Sequence, residues 1–193
     1  MIALPPPKAD VLARRDEIVS ALRAIAGASA AIAEPVRLKA YESDGLTAYA
    51  QTPLAVVLPV TVAEVAAVMR LCHRLGVRVV PRGAGTSPSG GALPLEDAVV
   101  LGVSRMNRIL EIGLTDRWAR VEAAATNLAI TKAVEGDGFF HAPDPSSQLA
   151  CMIAGNVAMN SGGAHCLKYG VTSNNLLGLK VVMMEGEENS PLL

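Results

Sequence analysis

Apolar residues recur along this chain with two alternating periods, and the switches between them mark out its elements. Val11, Ile18, Leu22 and Ile25 fall at near-helical spacing and Gly27 stands where a helix would close, so the pattern predicts an amphipathic helix over 10–26. Residues 29–52 carry no clear period; with Tyr41, Asp44 and Tyr49 among them, they read as a connecting segment. From Ala55 the pattern sharpens. Ala55, Val56, Val57 and Leu58 predict a buried strand that Pro59 ends, and Thr61 with Glu64 has the spacing of a capping box. Val62, Val65, Ala66 and Met69 then share one helical face, Gly76 stops the helix, and 77–80 read as a strand. A strand, a helix and a strand in that order predict a right-handed βαβ unit with parallel strands, and the apolar run 99–103 is expected in the same sheet.

Beyond Met106 the strands shorten. Segments 109–112 and 119–123 predict a hairpin turning through 113–117, and a helix follows over 128–135. Residues 136–170 are rich in Gly, Pro, Ser and Asn, and so long an irregular stretch inside a compact domain points to function. A last strand is expected over 179–184, and 185–193 is acidic, broken at Pro191 and without pattern. The division that results is a helical and connecting segment over 1–52, a main domain over 53–186 and a tail over 187–193. Because the sequence ends soon after its last apolar strand, an edge without neighbours is expected there, and with it self-association.

Composition narrows the partners. In 193 residues, 17 basic against 18 acidic side chains give a net charge of -1, too little field to gather nucleic acid. Cys72, Cys151 and Cys166 are odd in number and lack zinc-like pairing, which suits reduced thiols in a cytoplasmic protein and indicates no metal. The opening residues lack the basic start and apolar core of a secretory signal, and no apolar run approaches the roughly 18 residues of a spanning helix. Yet a mean hydropathy of +0.35 with 18% charged residues is apolar for a lone domain, so part of the surface is expected to be covered.

Three loops carry the candidate chemistry. The first follows the 77–80 strand and contains Arg82, Gly83, Ala84, Gly85, Thr86, Ser87, Pro88, Ser89 and Gly90. Its glycines let backbone N–H groups close on an anion such as a pyrophosphate, its hydroxyls add donors, and Arg82 adds charge. No Gly-Lys-Ser/Thr follows, so it is not a P-loop. Pro88 stands where a dinucleotide Gly-x-Gly-x-x-Gly would need its third glycine. The second loop holds Pro143, Asp144, Pro145, Ser146 and Ser147; the third runs from Ala154, Gly155 and Asn156 to Asn160, Ser161, Gly162 and Gly163. Small residues, free amides and short polar side chains suit a flat polar cofactor lying along the backbone rather than acid or base catalysis.

Taken together, residues 81–94, 142–148 and 154–178, the last with Asn-Ser-Gly-Gly-Ala-His-Cys-Leu-Lys-Tyr-Gly-Val-Thr, resemble the FAD-binding half of flavoproteins of the vanillyl-alcohol oxidase type. The resemblance is to the branch containing the glycolate oxidase flavin subunit and D-lactate dehydrogenases, and 104–111 fits it too. It implies a two-lobed α+β FAD-binding domain, a small parallel βαβ lobe beside a mixed antiparallel one, incomplete at its C-terminus. It places the pyrophosphate on the loop from Arg82 to Gly90 and on Pro145, Ser146 and Ser147. Ala154, Gly155, Asn156, Asn160, Ser161, Gly162, Gly163 and Gly170 would then lie along the rest of the cofactor. The parent activity it implies is oxidation of a small 2-hydroxy acid to the 2-oxo acid, with FAD held noncovalently because 81–92 contain no histidine or cysteine. The family's catalytic and metal-binding residues lie beyond Leu193, so the chain alone is expected to be inactive. Pro88, Ala123, Ala124, Met152 and Ala154 depart from the residues usual in relatives, and an alanine forced to positive φ would cost about 1 kcal/mol or more. The alternative is therefore a truncated remnant that no longer binds FAD productively.

The remaining candidates read as structural. His73 sits where a helix C-terminus favours positive charge, and His141 and His165 lack carboxylates or cysteines spaced for metal or triad chemistry. Cys166 beside His165 is an unfavourable nucleophile pair, because adjacent residues rarely face each other.

Overall fold

The computed structural model describes residues 4–190, and the break expected at Pro191 lies outside them. The first helix is divided into α1 (Ala9–Ala13) and α2 (Arg15–Ala26). Between them Arg14 leaves helical geometry at φ -97° and ψ 16°, and its Nη2 donates to the Leu75 carbonyl at 2.9 Å. Periodicity runs on across this break because Val11 and Ile18 enter the same core. Gly27, at φ 90°, ends α2 as expected.

The segment read as a connection contains a strand. β1 (Ala31–Ile32) pairs antiparallel with β2 (Ala55–Val57), Ala31 opposite Val57. Two residues are too few to show a period. Next come α3 (Pro35–Leu38), with proline in its first turn, and a short 3-10 turn over Lys39–Tyr41. α4 (Val62–Leu75) begins at Thr61, whose Oγ1 accepts from Glu64 N at 3.1 Å, and ends at Gly76 in the left-handed region at φ 67°. The Glu64 carboxylate reaches back one residue further than a capping box requires, accepting from Val60 N at 2.9 Å.

β3 (Arg78–Arg82) and β4 (Ala98–Gly102) complete a four-stranded sheet of order β1-β2-β4-β3. β2 and β3 are parallel, but β4 lies between them and is parallel to both. Both packed apolar clusters among the described residues belong to this lobe. The larger joins Ile18, Leu22, Val57, Val68, Leu71 and Val99 between helices and sheet; the smaller joins Ile32, Leu38, Val56 and Val100 on the opposite face.

The second lobe starts with β5 (Ile109–Gly113) and β6 (Trp118–Val121), an antiparallel hairpin where one was expected. α5 (Asn127–Val134) follows, capped by Thr126 Oγ1 accepting from Ala129 N at 3.2 Å. The stretch 136–170 is not wholly irregular: it folds α6 (Ile153–Met159) and α7 (Cys166–Tyr169).

The expected strand over 179–184 is corrected by the structure. Only β7 (Val181–Val182) forms there, and it pairs with β8 (Glu188–Asn189) in a separate two-stranded ribbon. The acidic end thus has a partner, and the edges of the main sheet are β1 and β3. Arg70 on α4 explains the placement, since its Nη1 donates to Gly186 O at 2.7 Å and fastens the ribbon's turn against the helix. The architecture is α+β in two lobes, as expected: a parallel lobe with one antiparallel edge, against whose α4 the β7–β8 ribbon is fastened, and a lobe of an antiparallel hairpin, short helices and loops.

Candidate cofactor cradle

The first loop leaves the end of β3 and is braced from inside. Arg82 Nη1 donates to Ser43 O at 2.7 Å and to Ala92 O at 3.3 Å, and the guanidinium lies 5.7 Å from the Tyr41 ring centroid. Buried Asp44 accepts from Leu46 N at 2.9 Å and from Ala92 N at 3.2 Å. The connecting segment therefore clamps both ends of the loop, a role no period could disclose. Gly85 turns through φ +70°, and a Cβ there would sit 2.6 Å from Arg82 Nη2. Only glycine satisfies both conditions. Ser87 Oγ accepts from Ser89 N at 3.3 Å, so one of the expected hydroxyl donors also shapes the turn. Gly90 is again at positive φ, 76°.

The second loop is a tight turn. Pro145 O accepts from Gln148 N at 2.8 Å, and Ser147 O accepts from both Ala150 N and Cys151 N at 2.8 Å, leaving the Ser146 side exposed. The third begins in α6 and passes through Asn160, which turns left-handed at φ 47° while its Oδ1 accepts from Ser173 N at 2.9 Å. Ser161 O accepts from Thr172 N at 2.9 Å and from Thr172 Oγ1 at 2.7 Å, and Gly170 lies against Asn174.

These loops converge. Gly83 of the first packs on Met152 at the start of α6, with Sδ 3.6 Å from where a Cβ would be. Gly163 of the third lies so close to Asp144 of the second that a Cβ would overlap it. Asp144 also accepts from His165 N at 3.3 Å and pairs with His165 Nδ1 at 2.6 Å. The hydrogen bond from His165 is the main reason that the Asp144 carboxyl is held below its usual range. His165 thus has the carboxylate partner that sequence spacing concealed, and its ring nitrogen faces Asp144 rather than Cys166.

Asn156 is placed differently from its neighbours. It is buried, and its Oδ1 accepts from Asn127 Nδ2 at 3.3 Å, so its side chain faces the interior. Ala154 lies in α6 and is not among the described residues with positive φ, so the backbone cost expected at that position does not arise. A Cβ added at Gly155 would meet no atom within 4 Å. A glycine inside a helix costs about 1 kcal/mol relative to alanine, and here nothing within the chain requires it. That open backbone fits close approach by an external group. The converging loops, their short side chains and this opening fit a dinucleotide laid across them, and among the described residues no cluster able to hold a metal competes with it.

A cleft of about 410 Å³ lies elsewhere. It lies beside the β5–β6 hairpin between Trp118, Phe139 and Ile130, and approaches the loops through Ala142 and Asn175. His141 lines it, and burial holds this imidazole below its usual pKa. His73 is exposed in the last turn of α4, as expected for a residue serving the helix end.

The class follows from fold and loops together. The p-cresol methylhydroxylase structure superposes with a TM-score of 0.81 at 20% identity, covering 95% of this chain and 36% of that one, which shows the vanillyl-alcohol oxidase type of fold. The chain belongs to the FAD binding domain family, matched over residues 53–189. Glycolate oxidase subunit GlcD of Escherichia coli K12 is 55% identical over 147 residues, covering 76% of this chain and 30% of the relative. D-2-hydroxyglutarate dehydrogenase of Xanthomonas citri pv. viticola is 37% identical over 154 residues, covering 80% and 33%. The chain therefore spans about a third of the length of these relatives. Among the described residues, no helix is long and apolar enough to cross a membrane.

Proposed function

We propose that this chain forms the FAD cradle of an oxidoreductase that converts a small 2-hydroxy acid of the glycolate or D-lactate type to its 2-oxo acid. The convergence of the three loops carries the reading, supported by the similarity to glycolate oxidase subunit GlcD. In this assignment the loop from Arg82 to Gly90, with Ser146 and Ser147, holds the pyrophosphate through backbone N–H groups and hydroxyls. Gly155, Ser161, Gly162 and Gly163 border the remainder of the cofactor, and Arg82 shapes the first loop while adding positive charge to it. When bound, FAD supplies the two-electron acceptor for the substrate C–H bond. This chain's residues bind it, orient it and keep the loops closed around it.

FAD is held noncovalently in this reading, since 81–92 offer no histidine or cysteine as an attachment point. Self-association is part of the same proposal, though not through the main sheet's edge. It rests on exposed Leu110 and Ile112 of the hairpin and on Met183 and Met184 beside the terminal ribbon. The test is direct: purified chain reconstituted with FAD should retain flavin absorbance through gel filtration and release it to the supernatant on acid precipitation. Chain that emerges colourless after saturation with FAD defeats the assignment and favours the remnant reading; flavin in the precipitate defeats noncovalent binding.

A further inference from the structure

We infer that Asn127 is a positioning residue for the cradle, its buried side-chain amide setting the separation between the 143–147 loop and helix α6. The inference rests on the FAD reading above. Asn127 opens α5 and is 1% exposed. Its Nδ2 donates to Pro143 O at 2.9 Å, at the start of the second loop, and to Asn156 Oδ1 at 3.3 Å, inside α6. Asn156 Nδ2 in turn contacts Cys151 Sγ at 3.3 Å, and the Asn127 backbone N–H donates to Cys151 O at 3.1 Å. One residue therefore grips both ends and the middle of the span 143–156.

The surrounding backbone reinforces the grip. Leu128 N donates to Gln148 O at 3.1 Å, Ile153 N to Ala125 O at 2.9 Å and Ala154 N to Ala123 O at 3.0 Å. Segment 123–128 is thus a rail on which the second and third loops are mounted, and Asn127 supplies its only described side-chain amide bonds into both. Burying an amide is costly unless its groups are paired. Among the described residues Asn127 Oδ1 has no partner, so the site keeps an amide where an apolar side chain of similar volume would bury at lower cost. Geometry at the loops accounts for that choice: no apolar side chain can hold the Pro143 carbonyl and Asn156 at once.

The experiment compares the wild-type 193-residue chain with Asn127→Leu, Asn127→Ser and Val100→Ala, measuring thermal unfolding without cofactor, FAD affinity by flavin fluorescence quenching, and visible circular dichroism of the bound flavin. Val100 lies in the core of the other lobe and serves as a destabilised control. Asn127→Leu should weaken FAD binding about tenfold or more and change the flavin dichroism. Asn127→Ser, which admits a water to the same acceptors, should fall between it and wild type, and it carries the test if Asn127→Leu does not fold. Val100→Ala should lower the melting temperature while leaving affinity and dichroism unchanged. Wild-type affinity in a folded Asn127 variant overturns the inference and leaves the FAD reading standing. Equal loss of affinity in Val100→Ala overturns it too, by reducing the effect to general stability. Wild-type chain that quenches no FAD fluorescence removes the FAD reading itself, and the inference with it.

Discussion

The two lobes are held together by different physics. In the four-stranded lobe, Val56, Val57, Val68, Val99 and Val100 are almost wholly buried in the two apolar clusters on either face of the sheet, so each contact has many substitutes. Past Met106 the buried apolar residues thin to Ala124, Ala125, Ile130, Val134 and Cys151, and Asn127, Asn156 and Thr172 are buried among them. That lobe depends on single hydrogen bonds and on glycines that touch backbone. Redundancy makes the first lobe a scaffold; the second, without it, is shaped by individual contacts and tolerates less change.

The sharpest way to break the contrast is at the first loop, where the scaffold feeds the cradle. Gly85→Val should abolish FAD binding, because its side chain would need φ +70° and would enter the Arg82 guanidinium. His73→Ala, on the exposed end of α4, should bind FAD as wild type does. Fluorescence titration of both variants checks this, and parallel loss in two folded proteins would detach the loop from the cofactor. In the packed lobe a deletion should act on stability instead. Val100→Ala removes two buried carbon groups and should cost about 2 kcal/mol in denaturant unfolding.

A smaller effect sharpens the comparison through the thiols. Burial pushes Cys72 up to about 11, so at pH 8 only about one part in a thousand is thiolate. Cys166 is exposed and Cys151 is buried beside Asn156. A disulfide-exchange reagent should therefore label Cys166 at once, Cys151 slowly, and Cys72 last. The middle rate reports local opening of the loop lobe, which needs fewer contacts broken than opening of the four-stranded core. If Cys72 reacts before Cys151, the ranking of the two lobes is wrong.

What the sequence disclosed follows the same division. α4, its Thr61 cap and Gly76 stop, β4, the hairpin and α5 are legible because apolar period and capping residues are local signals. The three loops are legible as irregular segments through their small residues. What was hidden is pairing at a distance. β1 is two residues long, β4 slips between strands that follow one another in the chain, and β7 turns to β8 rather than to the sheet. Asp44, Asn127 and the Asp144–His165 pair were missed as supports for the site because each joins segments that no spacing rule connects. The one available hint is composition: an uncapped polar residue amid an apolar pattern, such as Asn127 directly after the cap Thr126, marks a buried amide in need of a partner.

The last prediction concerns Asp144, where the loop lobe carries an acid-sensitive staple. His165 holds the Asp144 carboxyl below its ordinary value of 3.8, first through the side-chain hydrogen bond. A depressed folded-state value means that the ionised form is favoured by folding. Its contribution is therefore complete above the ordinary carboxylate pKa and is lost as pH falls through the depressed one. Glu122, lowered chiefly by its hydrogen bond with Arg108, titrates in the same direction but secures the hairpin instead. Hydrogen exchange separates the two. As pH is lowered from about 6 to about 3, after correction for intrinsic rates, the His165 amide should lose protection in wild type, because its N–H donates to Asp144. Asp144→Asn should begin with weaker protection there and show little further change, while the Arg108 amide, which donates to Glu122, keeps its own acid dependence. An unchanged His165 profile in Asp144→Asn would show that the second and third loops are held together by the Asn127 rail and the Gly163 contact without the Asp144–His165 hydrogen bonds.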